Sequence, residues 1–239
     1  MDVEVADGVS VLRCDYPPVN AADLGLLNDV VATFRGLDGP VVLTGAGKVF
    51  SAGVDLRAIL DGGVEYTDRF LSSLSAAFLA IFDYPGPVVA AVNGHAIAGG
   101  CVIAMAADIR LMSGGTIGLS ELAVGVPFPV TALEICRYAM GTSVTRAVLQ
   151  ADTVDRDSAL ARGWIDQIVA PQDLMPSAIA LASALGRHST SAYALTKEQL
   201  RRPARAAIDA GADMDAKVRA SWLSDETRTR IGAFLDALK

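Results

Sequence analysis

A chain of 239 residues with 52% hydrophobic and only 6% aromatic side chains holds material for one large aliphatic core, or for a domain with an appendage. Its net charge of −7 argues against general nucleic-acid binding. Three widely spaced cysteines (Cys14, Cys101, Cys136) and two histidines offer neither a disulfide framework nor a metal-ligand pattern, which fits a reducing, cytoplasmic setting. The start, Met1-Asp2-Val3-Glu4, lacks the basic and apolar blocks of a secretion signal.

In chain order, Val3, Val5, Val9 and Val11 alternate around Asp7-Gly8 and predict a hairpin. Ala21 to Leu37 reads as a helix, with Leu24, Leu27, Val30, Val31 and Phe34 along one side. Val41 to Thr44 is a strand, Asp68 to Phe82 a helix stopped by Pro85-Gly86-Pro87, and Val88 to Val92 a second buried strand. The uncharged stretch 84–107 is broken by prolines, Asn93, Gly94, Gly99 and Gly100, so strand, turn and helix explain it better than a membrane span. A helix from Gly99 to Ala107, short strands at 109–112 and 116–118, helices at 130–138, 143–150 and 157–162, and a strand at 165–169 come next. From Leu174 onward the pattern is helical. Strands alternating with helices predict an α/β core with parallel pairing. The expected division is a core of residues 1–186 and a helical C-terminal module, 187–239, which carries ten Lys or Arg against seven Asp or Glu while the core is acidic.

Two glycine-bearing segments stand out: Phe50-Ser51-Ala52-Gly53-Val54-Asp55-Leu56 and Asn93-Gly94-His95-Ala96-Ile97-Ala98-Gly99-Gly100-Cys101. Each comes after an apolar strand and leads into a helix. Such a turn leaves backbone N–H groups unpaired at the positive end of the helix, and two of them facing one another bind an enolate oxygen. Phosphate-loop and dinucleotide readings of Gly45-Ala46-Gly47-Lys48 fail, because Val42 stands where the earlier glycine belongs, Val49 where Ser or Thr must hold magnesium, and Phe50 where the third dinucleotide glycine belongs. His95 reads as a hydrogen-bonded structural residue beside a turn.

These segments, with Leu43-Thr44-Gly45-Ala46-Gly47, Pro87 to Cys101, Ala106 to Arg110, Ile117-Gly118-Leu119-Ser120-Glu121 and Ala159 to Val169, resemble the crotonase (enoyl-CoA hydratase/isomerase) superfamily over almost the whole chain. The resemblance implies a crotonase-like spiral of ββα units with a helical C-terminal trimerisation module, assembled as a homotrimer or a dimer of trimers. It implies an acyl-CoA thioester substrate, no metal and no cofactor beyond the substrate's coenzyme A, and neither nucleic acid nor membrane as a partner. By position, the oxyanion donors are the amides of Val54 and Gly99. Ser51, Ala52, Val54, Asp55, Leu56, Arg57, Gly99, Gly100, Val102 and Phe128 are the expected substrate contacts. Arg57, and more remotely Lys197, Arg201, Arg202 and Arg205, are candidates for the coenzyme A phosphates. Loops such as Gly62 to Thr67 are expected to close the acyl tunnel.

Hydratases of the superfamily use two glutamates. Here one of those places is Val102 and the other Glu121. Valine neither accepts nor donates a proton, so the sequence favours a one-carboxylate reaction: allylic isomerisation of a 3-enoyl-CoA to the 2-enoyl-CoA, with Glu121 as base and proton carrier. The alternatives are hydration, other enolate chemistry such as thioester hydrolysis or decarboxylation, or a non-catalytic acyl-CoA-binding subunit.

Overall fold

A computed structural model describes residues 1–237. The strands are β1 (Asp2–Ala6), β2 (Val9–Cys14), β3 (Val41–Gly45), β4 (Val49–Ser51), β5 (Val88–Val92), β6 (His95–Ile97), β7 (Ile109–Met112), β8 (Thr116–Gly118), β9 (Thr153–Asp155) and β10 (Gln167–Ile168). The helices are α1 (Leu24–Arg35), α2 (Leu56–Phe82), α3 (Gly99–Ala106), α4 (Glu121–Val124), α5 (Val130–Met140), α6 (Val144–Gln150), α7 (Arg156–Ala161), α8 (Leu174–Gly186), α9 (Thr190–Ala210), α10 (Ala212–Trp222) and α11 (Asp225–Ala237).

The strands form two sheets, ordered β1-β2-β3-β5-β7-β10 and β4-β6-β8-β9. β1 pairs antiparallel with β2, and β2, β3, β5, β7 and β10 run parallel. The chain places β3, β5 and β7 in the first sheet, steps to β4, β6 and β8 in the second, and then enters a helix. Three successive ββα turns of one spiral result, as the sequence resemblance implied.

Period-two alternation explains why the large sheet is covered on both faces. Val41, Leu43, Val88, Ala90 and Val92 pack into the main core with α1, α2, α3 and α5. Val42, Val89 and Ala91 face the other way, onto Leu174, Ala178 and Ala182 of α8. Aspartates set several helix starts: Asp23 accepts from the Leu26 amide at 2.8 Å, Asp55 from the Ala58 amide at 2.9 Å, and Asp155 from the Ser158 amide at 2.7 Å.

Three local expectations change. The helix expected at 68–82 begins at Leu56 and is interrupted at Gly63, whose φ of 69° lies in the left-handed region. Gly62 to Thr67, expected as a loop, therefore belongs to α2, and Thr67 Oγ1 donates to Gly63 O. The two glycine segments contain short strands, β4 and β6, which carry too few residues for a periodic signal. The same brevity hides β9 in the sequence.

The segment after residue 186 packs against the residues before it. Asp108 accepts from Lys197 Nζ at 2.8 Å and from Arg201 at 2.6 Å. Arg201 also donates to the carbonyls of Phe82 and Ala106, the last residues of α2 and α3, so a cation sits at the negative ends of both helices. Among the described residues, no helix is long and apolar enough to cross a membrane.

Candidate active site

Neighbouring strands of the small sheet deliver the candidate groups. β4, β6 and β8 pair parallel, side by side. Past their C-terminal ends stand Val54, Gly99 and Glu121 respectively. Parallel strands bring the residues just beyond their C-terminal ends to one edge of a sheet, which is where ligands bind in such folds.

The first turn is fixed from below. Ser51 Oγ donates to Asn20 O at 2.8 Å and accepts from the Gly53 amide at 3.1 Å. Asn20 is buried, and its side-chain amide donates to Val49 O at 2.8 Å. Ala22 then bridges to Val54: its amide donates to Gly53 O at 2.7 Å, and its carbonyl accepts from the Asp55 amide at 2.8 Å. That pairing uses the groups on either side of Val54 and turns the Val54 amide away from Ala22. The second turn is fixed by the Ala98 amide, which donates to Gly118 O at 2.8 Å. Ala98 adopts φ 51° and ψ −122°, a strained conformation for a residue with a side chain. Gly99 opens α3, so its N–H has no acceptor within the helix.

The two turns touch. A Cβ added to Gly53 would lie 2.9 Å from Ile97 O and 3.2 Å from Gly99 N. A Cβ on Gly99 would stand 3.4 Å from Val54 Cγ1, in ordinary contact, whereas one on Gly100 would fall 2.3 Å from Ser51 O. Gly100 therefore permits close packing of helix on strand, and Gly99 keeps the space in front of the turn open.

A cavity of about 220 Å³ lies against this edge, lined by Val54, Gly99, Val102 and Glu121 with apolar side chains from α2, α5, α10 and α11. Glu121, at the first position of α4, is 9% exposed, and its Oε2 has no hydrogen-bond partner. Burial pushes its carboxyl up from 4.5 to about 8, while its own backbone N–H pulls the other way. Among the described residues, it is the one titratable side chain lining the cavity. Burial also pushes the Cys101 and Cys136 thiols well above their usual range, so neither supplies a thiolate.

Of the expected contacts, Ala52, Val54, Leu56, Gly99 and Val102 line the cavity. Ser51 and Gly100 do not line it; they hold the turns in place. Phe128 is 7% exposed and packs into the core instead of forming a wall. Asp55 caps α2, and Arg57 is exposed on its first turn. Lys197 and Arg201 are buried against Asp108 and so unavailable to a phosphate in this arrangement, and Arg205 pairs with Asp83 and Asp209. His95 Nδ1 lies 3.0 Å from Thr116 Oγ1, the structural role expected.

Trp222 and Phe234, from the C-terminal helices of the same chain, also line the cavity. Nothing in the sequence selects them beyond their being large apolar residues in an otherwise charged stretch. Ala98 carries no turn signal at all.

Residues 4–239 match the family model described as enoyl-CoA hydratase/isomerase. The chain belongs to the enoyl-CoA hydratase/isomerase family. Among curated relatives, a probable enoyl-CoA hydratase of Mycobacterium leprae is 26% identical, over 98% of this chain and 95% of that protein. Among solved structures, human mitochondrial delta3-delta2-enoyl-CoA isomerase superimposes with a TM-score of 0.93 at 24% identity, covering 99% of this chain and 96% of the other. An apo enoyl-CoA isomerase of Mycobacterium tuberculosis gives 0.82 at 32% identity, covering 90% and 97%.

Proposed function

We propose that the protein moves the double bond of a 3-enoyl-CoA to the 2 position. The observation that carries this reading is the lone carboxylate: Glu121, buried, unpartnered at Oε2 and raised to about 8, faces a cavity that Val102 keeps apolar where a second glutamate would serve a hydratase. The C2 protons of such a thioester are acidic, because the anion is conjugated with both the carbonyl and the alkene. Ionised Glu121 takes one of them. The negative charge collects on the thioester oxygen, where the Val54 and Gly99 amides stabilise it. Glu121 then returns the same proton to C4, and the product is the conjugated 2-enoyl-CoA. No atom is gained or lost, and one carboxylate suffices.

The dry walls suit this chemistry, since water in the cavity would lower the pKa of Glu121 and offer a competing nucleophile. Water addition is the competing reaction, and relatives named for each activity match the chain. The purified protein should be given 3-hexenoyl-CoA and crotonyl-CoA in parallel, with products separated by chromatography and identified by mass. Conversion of the first to 2-hexenoyl-CoA, with little or no hydration of the second, supports the isomerase. Hydration that outpaces isomerisation contradicts it. Neither reaction, with no exchange of C2 hydrogen for deuterium in a saturated acyl-CoA, points to a binding subunit.

A further inference from the structure

The wall of the Glu121 cavity built by α10 is tied down on both sides. Trp222 is 3% exposed, and its Nε1 donates to Pro127 O at 2.8 Å, on the connection between α4 and α5. On that same side Asp215 Oδ1 accepts from the Val130 amide at 3.3 Å, at the start of α5. On the other side Arg219 donates to Asp68 O at 2.7 Å and to Asp68 Oδ1 at 2.6 Å, both on α2. The helix that presents Trp222 therefore braces the two flanks of the cavity, and the indole is held by its only polar atom. A ring fixed in this way does not swing aside at low cost, because its hydrogen bond would be lost in a buried setting.

We propose that Trp222 sets the upper limit on the length of the acyl chain. This rests on the acyl-CoA reading and adds the substrate class to it. A cavity of 220 Å³, at roughly 30 Å³ per water-sized group, holds about seven non-hydrogen atoms. That is the volume of a short acyl group of about six carbons with its carbonyl oxygen. The other large side chains of the apolar lining include Leu74 and Phe78 of α2 and Phe234 of α11, and none of these has a polar atom that could fix it as the indole N–H fixes Trp222.

The test is binding of saturated acyl-CoA thioesters, from butyryl to palmitoyl, to the intact wild type and to Trp222→Phe, Trp222→Leu and Trp222→Ala. Circular dichroism checks the fold of each. Wild-type affinity should rise about fourfold per methylene up to about hexanoyl, then fall by tenfold or more by lauroyl. Trp222→Leu and Trp222→Ala should keep rising past decanoyl, and Trp222→Phe should lie between them and the wild type. Wild-type protein that binds palmitoyl-CoA as tightly as hexanoyl-CoA overturns the proposal whether or not any variant folds, as do folded Leu and Ala variants that retain the wild-type limit. Absence of binding at every length overturns it together with the acyl-CoA reading. A wild type that shows the limit but does not isomerise 3-enoyl-CoA supports the proposal and removes only the isomerase.

Discussion

Asp108 and Arg201 meet at 2.6 Å in the interior, with side chains 12% and 4% exposed, and Lys197 shares the same carboxylate. This ion cluster joins α9 to the ends of α2 and α3, the helices that begin just after Val54 and at Gly99. Removing the anion leaves two cations buried without it. Asp108→Ala should therefore lower unfolding free energy by about 3–5 kcal/mol, read as a shift of the urea midpoint. A change within the error of the midpoint would mean that α9 is not held by this cluster.

Gly99 and Gly100 are adjacent, yet their replacement should fail for different reasons. In Gly99→Ala the new methyl meets nothing closer than 3.4 Å, so the protein should fold normally. In the proposed mechanism the methyl would crowd the thioester oxygen that the Val54 and Gly99 amides are to hold, and losing the oxygen's contact with one such donor costs about 2.7–4 kcal/mol of barrier, or about a hundredfold or more in kcat. In Gly100→Ala the methyl would lie 2.3 Å from Ser51 O, and thermal stability should fall. Paired melting curves and turnover measurements separate the two, and a Gly99→Ala enzyme with full activity would show that the space beside residue 99 is not where the thioester oxygen is held.

The state of Glu121 fixes the direction of two pH dependences. Its folded value of about 8 exceeds the ordinary 4.5, so the folded chain holds a proton that the unfolded chain has released. The stability this contributes is complete below about pH 4.5 and lost as pH rises through 8. Glu121→Gln should remove that slope and, at about pH 9, be more stable than wild type by something on the order of a few kcal/mol. For catalysis the sign reverses, because the base must be ionised. The kcat/KM of the wild type should climb with pH and level off above about 8. A plateau reached near pH 5 would show an ordinary, hydrated carboxylate.

In the proposed mechanism Val102 selects isomerisation over hydration. It is wholly buried, lines the cavity, and lies one helical turn along α3 from Gly99. Val102→Glu places a second carboxylate beside Glu121. It should lower isomerisation at least tenfold, since like charges disturb each other's ionisation, and should introduce measurable hydration of crotonyl-CoA. A variant that folds and hydrates nothing would show that two carboxylates alone do not make this cavity a hydratase.

Much of this arrangement is legible in the sequence, for identifiable reasons. Runs such as Val88–Val92 announce a strand buried on both faces, and glycines mark places where backbones approach. Glu121 stands out as a carboxylate beyond an apolar strand. The local pattern names a face and not its partner, however. Lys197 and Arg201 read as a basic helical face suited to phosphate, whereas the structure engages them with Asp108, about ninety residues earlier in the chain. Trp222 reaches Pro127 across a similar separation. The family resemblance suggests Phe128 as a substrate contact, yet the turn after α4 sends it into the core. Ala98, with its left-handed φ, shows that a strained turn need not advertise itself with glycine.

The most direct measurement compares wild type with Glu121→Gln on 3-hexenoyl-CoA at pH 8.5, with binding of a saturated acyl-CoA followed in both proteins. The wild type should yield 2-hexenoyl-CoA, while the variant should bind the saturated thioester equally well and lose about 10²–10⁴-fold in kcat, the usual share of a positioned general base. A variant that isomerises at the wild-type rate would mean that hydrogen moves from C2 to C4 by some route that does not pass through Glu121.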